Sequence, residues 1–107
     1  MKIEKLNSSK FEEIIYDQEC ACLVIFFRKN CHVCKEVIPE LEEMEPEYKG
    51  KFLFYSVDIE EEKALFQRFS MKSVPQVLFF NKGEYQGKVA GLAERDDIEE
   101  KIAEVIG

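Results

Sequence analysis

The chain has 107 residues, 46% of them hydrophobic, with only five Gly and three Pro, which is the size and composition of one globular domain spanning residues 1–107. Twenty-two acidic residues against fifteen basic ones give a formal charge of −7, the wrong sign for a general binder of phosphate backbones, and no apolar run approaches membrane-spanning length. Nucleic acid and membrane are therefore not expected partners, and a core of this size needs no disulfide staple, which leaves the four cysteines free for chemistry.

Met1, Lys2, Ile3, Glu4, Lys5 and Leu6 place charges where a secretory signal needs an unbroken apolar stretch, so a cytoplasmic setting is expected, with a short first strand here. Phe11, Ile14 and Ile15 form one face of a short helix, with Ser8 and Ser9 as cap candidates. Cys22 to Phe27 is a continuous apolar run of strand length, as expected where helices cover both faces of a sheet, and it reads as the central strand. Cys34, Val37, Ile38, Leu41 and Met44 recur at helical spacing, which predicts a helix from about Cys31 into the mid-forties, kinked by Pro39.

Phe52 to Val57 and Val77 to Phe80 read as two further buried strands, separated by a short helix marked by Leu65, Phe66 and Phe69. After the turn Asn81, Lys82, Gly83, the residues Tyr85, Gly87 and Val89 alternate with Glu84, Gln86 and Lys88, a period of two that suits an antiparallel strand near an edge. Ile98, Ile102, Val105 and Ile106 define the last helix. Alternating βαβ units followed by a hairpin and a helix predict an α/β fold, a central mixed sheet flanked by helices.

Cys31, His32, Val33, Cys34 lies where the buried strand hands over to a helix. Unpaired N–H groups and the positive end of the helix dipole favour a thiolate there, so Cys31 is expected to be exposed and ionisable, while Cys34, which begins the apolar stripe, is shielded. That asymmetry suits thiol–disulfide exchange, with Cys31 attacking and Cys34 resolving. No Asp or Glu occurs between Cys20 and Lys35, whereas Arg28, Lys29, His32 and Lys35 do, so the local charge supports an anion. His32 is the only histidine, and its imidazolium beside Cys31 is expected to stabilise the thiolate. The alternative is that these cations face solvent with little coupling.

The chain resembles the thioredoxin family over nearly its whole length. The matching residues are the strand Leu23 to Phe27, Cys31-x-x-Cys34 followed by Lys35, Pro39, Val57-Asp58, Val74-Pro75 before Gln76 to Phe80, Asn81-Lys82-Gly83, and Gly91 before the last helix. The resemblance implies a thioredoxin-like fold with a cis Pro75 against the cysteine pair. It also implies protein disulfide substrates docked along Ser73, Val74, Pro75 and the loop before Gly91, with Lys72 on the rim. A thioredoxin-reductase-type donor would supply electrons, the protein would act as a monomer, and no bound cofactor would be needed beyond the redox-active cysteine pair.

Departures from the family pattern bear on mechanism. Asn30 stands where Trp is common, His32-Val33 where Gly-Pro is common, Ile25 where a buried Asp accepts the resolving thiol's proton, and Phe54 where a lysine often neighbours that acid. These losses keep open two alternatives: a redox-weak adaptor domain of the same fold, and a glutathione-linked, glutaredoxin-like oxidoreductase. Cys20 and Cys22 point to one face of the central strand, where a bridge between them would be strained. Cys22 reads as a buried small hydrophobe and Cys20 as a free surface thiol. A four-cysteine zinc site is not expected, because the two pairs lie at opposite ends of that strand.

Overall fold

The computed structural model describes residues 2–107, so Met1 lies outside the described residues. Its elements in chain order are β1 (Glu4–Lys5), α1 (Ser8–Glu12), β2 (Cys22–Phe27), α2 (Cys34–Met44), β3 (Leu53–Asp58), α3 (Lys63–Arg68), β4 (Gln76–Asn81), β5 (Glu84–Ala90) and α4 (Arg95–Ile106). The strands form one five-stranded sheet in the order β1-β3-β2-β4-β5. β1, β3 and β2 run parallel, while β4 and β5 are antiparallel to their neighbours. The mixed α/β architecture read from the periodicity is thus the one the chain adopts.

All six residues of β2 are buried, because helices cover both faces of the sheet. Leu23 and Ile25 pack with Val37, Leu41 and Met44 of α2 and with Ile98 and Ile102 of α4. Cys22, Val24 and Phe26 face the other way, into a cluster with Phe11, Leu65 and Phe80. Edge-to-face contacts join Phe11 to Phe26, Phe69 and Phe80 there, adding to area burial about 0.5–1.5 kcal/mol per pair.

Three local expectations need correction. The cap of α1 is Asn7, not Ser8 or Ser9: its side-chain oxygen accepts the Lys10 N–H at 2.8 Å. Ser8 instead donates its N–H and hydroxyl to Glu62, at 2.7 and 2.6 Å. α2 begins at Cys34 rather than at about Cys31, because the chain turns through His32 and Val33 first. The single face expected of Tyr85, Gly87 and Val89 is broken by a bulge. The register changes from Leu78↔Lys88 to Phe80↔Tyr85, and Gly87 takes a φ of 109°. Val89 therefore packs toward α2 and α4, whereas the Tyr85 ring lies against Phe69 and Phe80 on the opposite face. The β4–β5 turn itself is tight, with Lys82 and Gly83 both at positive φ, 55° and 79°.

Among the described residues, no helix is long and apolar enough to cross a membrane.

Candidate active site

β2 delivers its last residue, Phe27, to one end of the sheet, and the chain then turns through Lys29 and Asn30 to reach Cys31. The Cys31 carbonyl accepts the Lys35 N–H at 3.2 Å, and the Cys31 sulfur accepts the Cys34 N–H at 3.1 Å. The Cys31 sulfur, two residues before the Val33 cap position, thus meets one of the N–H groups that a helix start leaves unpaired. The same turn brings the two Cα atoms to 5.2 Å, and Cys31 and Cys34 are joined as a disulfide.

The expected contrast in exposure is smaller than the sequence implies. Cys31 is 6% exposed and Cys34 1%, so both sulfurs belong to buried residues. Cys31 is covered because Phe27, Ile38 and Val74 pack around the pair. The Val74 carbonyl oxygen lies 3.9 Å from the Cys31 sulfur, and the Val74–Pro75 peptide bond is cis. Pro75 is buried, Val74 half-buried and Ser73 exposed. Gly91, at a positive φ of 73°, donates its N–H to the Pro75 carbonyl at 3.0 Å. Cys31, Ser73, Val74, Pro75 and Gly91 therefore converge on one edge of the molecule.

His32 is not part of that convergence. Its side chain is 90% exposed and its Nε2 lies 3.9 Å from Glu36 on the next turn. Adjacency in sequence does not press the ring against Cys31, because the turn at positions 32 and 33 directs it into solvent, where an acid is within reach. Lys29 likewise has a carboxylate partner, Glu61, at 3.7 Å. The local excess of cations along the chain is therefore partly cancelled by acids brought in from α2 and from the segment after β3.

A family model described as Thioredoxin matches residues 2–104. The chain belongs to the thioredoxin family. It is 33% identical over 102 residues to a thioredoxin of Staphylococcus haemolyticus, a match covering 95% of this chain and 96% of that protein. It is 31% identical over 105 residues to a thioredoxin of Buchnera aphidicola, covering 98% of this chain and 97% of that one. A chloroplastic M-type thioredoxin of Pisum sativum is 29% identical over 105 residues, and this chain spans only 61% of its length.

Within the thioredoxin family frame, this chain carries a dithiol–disulfide couple at the head of α2. Ile25 and Phe54 both sit in the apolar cluster beneath that helix, so packing fills the two positions where the family pattern has ionisable groups. Asp58 is the one buried acid among the described residues, 1% exposed beside Phe27 in the sheet. Its Oδ1 accepts the Glu60 N–H at 2.9 Å and its Oδ2 has no partner. Gln76 is another buried polar side chain that sequence reasoning missed. It directly follows Pro75, and its amide nitrogen donates to the Ser73 carbonyl at 2.8 Å. A glutamine heading the apolar run Val77 to Phe80 was the available signal.

The remaining cysteines lie at the far end of β2. Cys22 is fully buried and Cys20 half-buried, with its sulfur 3.7 Å from the Gln18 side-chain oxygen. Burial pushes the Cys22 thiol up to about 12, with the neighbouring Cys20 adding to the effect. Burial raises Cys20 as well.

Proposed function

We propose that this chain is a single-domain protein dithiol–disulfide oxidoreductase, with Cys31 as nucleophile and Cys34 as resolving thiol. The supporting observation is the Cys31–Cys34 bond at the head of α2, held against the Val74–Pro75 segment. In the reducing direction, the Cys31 thiolate attacks one sulfur of a substrate disulfide, the substrate S–S bond breaks, and one substrate thiolate leaves. The Cys34 thiolate then attacks the Cys31 sulfur, expels the second substrate thiolate and restores the internal disulfide. Two electrons pass to the substrate, and a reductase-type partner supplies two more to reduce the pair again.

The helix start supplies the bias toward an anion on Cys31, since the Cys34 N–H already points at that sulfur. His32 acts, in this reading, as a rim charge balanced by Glu36 rather than as a proton carrier for the pair. An extended substrate chain docks along Ser73, Val74 and Pro75 and beside Gly91. The couple is its own cofactor, no metal takes part, and the protein works as a monomer in the cytoplasm.

Insulin-disulfide reduction with dithiothreitol as electron source tests the activity. A rate well above dithiothreitol alone supports the oxidoreductase; a rate equal to it would favour a binding domain that keeps the fold without turnover. Glutathionylated peptide should be a poor substrate by comparison, and efficient turnover of it would move the assignment to a glutathione-linked enzyme.

A further inference from the structure

We infer that Gln76 is a positioning residue for protein substrates, an inference that rests on the oxidoreductase reading above. Three consecutive carbonyls precede β4, and each is engaged differently. Ser73 is held by the Gln76 amide at 2.8 Å, and Pro75 by the Gly91 N–H at 3.0 Å. Between them the Val74 carbonyl faces the Cys31 sulfur at 3.9 Å. The two flanking bonds fix the peptide planes on either side of the Val74–Pro75 peptide, so the backbone beside the reactive sulfur is set before any substrate arrives.

Gln76 is suited to this task because its backbone is anchored. It pairs with Phe26 on β2 and with Ala90 on β5, inside the sheet on both sides. Its side chain is a strut from that rigid frame to the loop. Fold stability alone gives no reason for it: Gln76 is 4% exposed, and its side-chain oxygen has no partner. A buried orphan acceptor is unfavourable, and an apolar residue of the same length would avoid it. What the amide provides, and an apolar residue cannot, is the N–H that holds Ser73. A preset backbone lowers the ordering cost of strand-like pairing with an extended chain, so the benefit appears in substrate binding.

The test is steady-state reduction of insulin by Gln76→Met, with thermal unfolding measured alongside. The expected result is a KM raised about three- to ten-fold, the loss of one hydrogen bond's ordering, with Tm unchanged or higher. The corresponding change in kcat should stay within about two-fold, because the reacting sulfurs are untouched. An unchanged KM in the folded variant would overturn the inference, as would a fall in kcat that tracks a fall in Tm. Gln76→Asn keeps the amide but is one methylene short of the Ser73 carbonyl, and the same KM increase is expected of it should Gln76→Met fold poorly. A wild-type protein that does not reduce insulin at all overturns the oxidoreductase reading itself, an outcome separate from a variant whose KM is intact.

Discussion

The two ends of β2 carry the same residue type in pairs, Cys20 and Cys22 at its start and Cys31 and Cys34 beyond its finish, yet their surroundings differ. At the start, Cys22 is enclosed by the apolar side chains of the α1 and α3 face, and nothing there stabilises a thiolate. At the finish, the chain turns into α2, and a backbone N–H points at the Cys31 sulfur. Both Cys22 and Cys31 are buried, so exposure is not what separates them. The difference lies in the local dipoles: a strand within a sheet spends its N–H groups on neighbouring strands, whereas a helix start has some to spare.

Removing the sulfurs gives the strongest test of that contrast. Cys31→Ser is expected to lower insulin reduction by on the order of a thousand-fold or more, to the dithiothreitol background, since the nucleophile itself is gone. Cys34→Ser should be comparably slow but should accumulate a mixed disulfide through Cys31, visible as a mass adduct. Cys20→Ser and Cys22→Ala should leave turnover near wild type. If either of these two abolished turnover, the pairs would be functionally linked and the contrast would fail.

Alkylation sharpens the same comparison without mutating the reactive pair. A thiol pushed from its ordinary value of 9.0 up to about 12 holds about a thousand-fold less thiolate near neutral pH than an unshifted one. In the reduced, folded protein at pH 7, iodoacetamide should therefore label Cys31 first and Cys22 only after unfolding. Mass spectrometry of partially labelled protein reads the order directly. Labelling of Cys22 at a rate near that of Cys31 would show that the strand's start is open.

How much of this was legible in the sequence depends on the range of the interaction. The strands, the helices and the cysteine motif are set by side-chain periodicity within a window of several residues, and they were readable. So was the position of Pro75 relative to the pair, through its resemblance to a family pattern. What escaped depended on partners distant along the chain. Glu61 reaches Lys29, the cover over Cys31 includes Val74, and the bulge at Gly87 turns Tyr85 to the other face. The cap at Asn7 was missed for a different reason, because Ser8 and Ser9 are equally good cap residues and only distant contacts, such as the bonds from Ser8 to Glu62, separate them from Asn7. Gln76 and Asp58 enter the sequence reading only as members of the family pattern, and their burial was not seen because a single polar residue at a strand's end has no period to reveal which way it points.

A smaller effect should appear in stability against pH. The folded-state value of Cys22 lies above its unfolded value, so its contribution is complete below about pH 9 and is lost as pH rises toward 12. The maximum slope is about 1.4 kcal/mol per pH unit. Tyr55, pushed by burial from 10.0 up to about 12, loses stability in the same direction over the upper part of that range. Cys22→Ala should be less stable than wild type by about 1 kcal/mol at pH 8, through lost packing. The order should reverse at about pH 10, because the variant has no thiol to deprotonate on unfolding. Urea titrations at pH 8 and pH 10.5 read the thiol together with its coupling to Tyr55, whose own shift Cys22 adds to; parallel curves would mean that Cys22 is less enclosed than its burial indicates.

The smallest effect is expected at His32, because the contrast between the two ends of β2 is assigned to backbone dipoles rather than to a charged side chain. Its ring faces solvent and its near neighbour is the Glu36 carboxylate at 3.9 Å, so a protonated ring is balanced before its field reaches the sulfur. Exposed pairs of this kind are worth about 0–1 kcal/mol, and added salt weakens them further. His32→Ala should therefore shift the pH profile of Cys31 alkylation by less than about half a unit, and about 0.5 M salt should remove most of the difference. Glu36→Gln, which leaves the imidazole without its counter-charge, should move the profile the opposite way, toward an easier thiolate. A full-unit shift in His32→Ala would instead put the imidazolium in control of Cys31, and the helix start alone would no longer account for the difference between the two cysteine pairs.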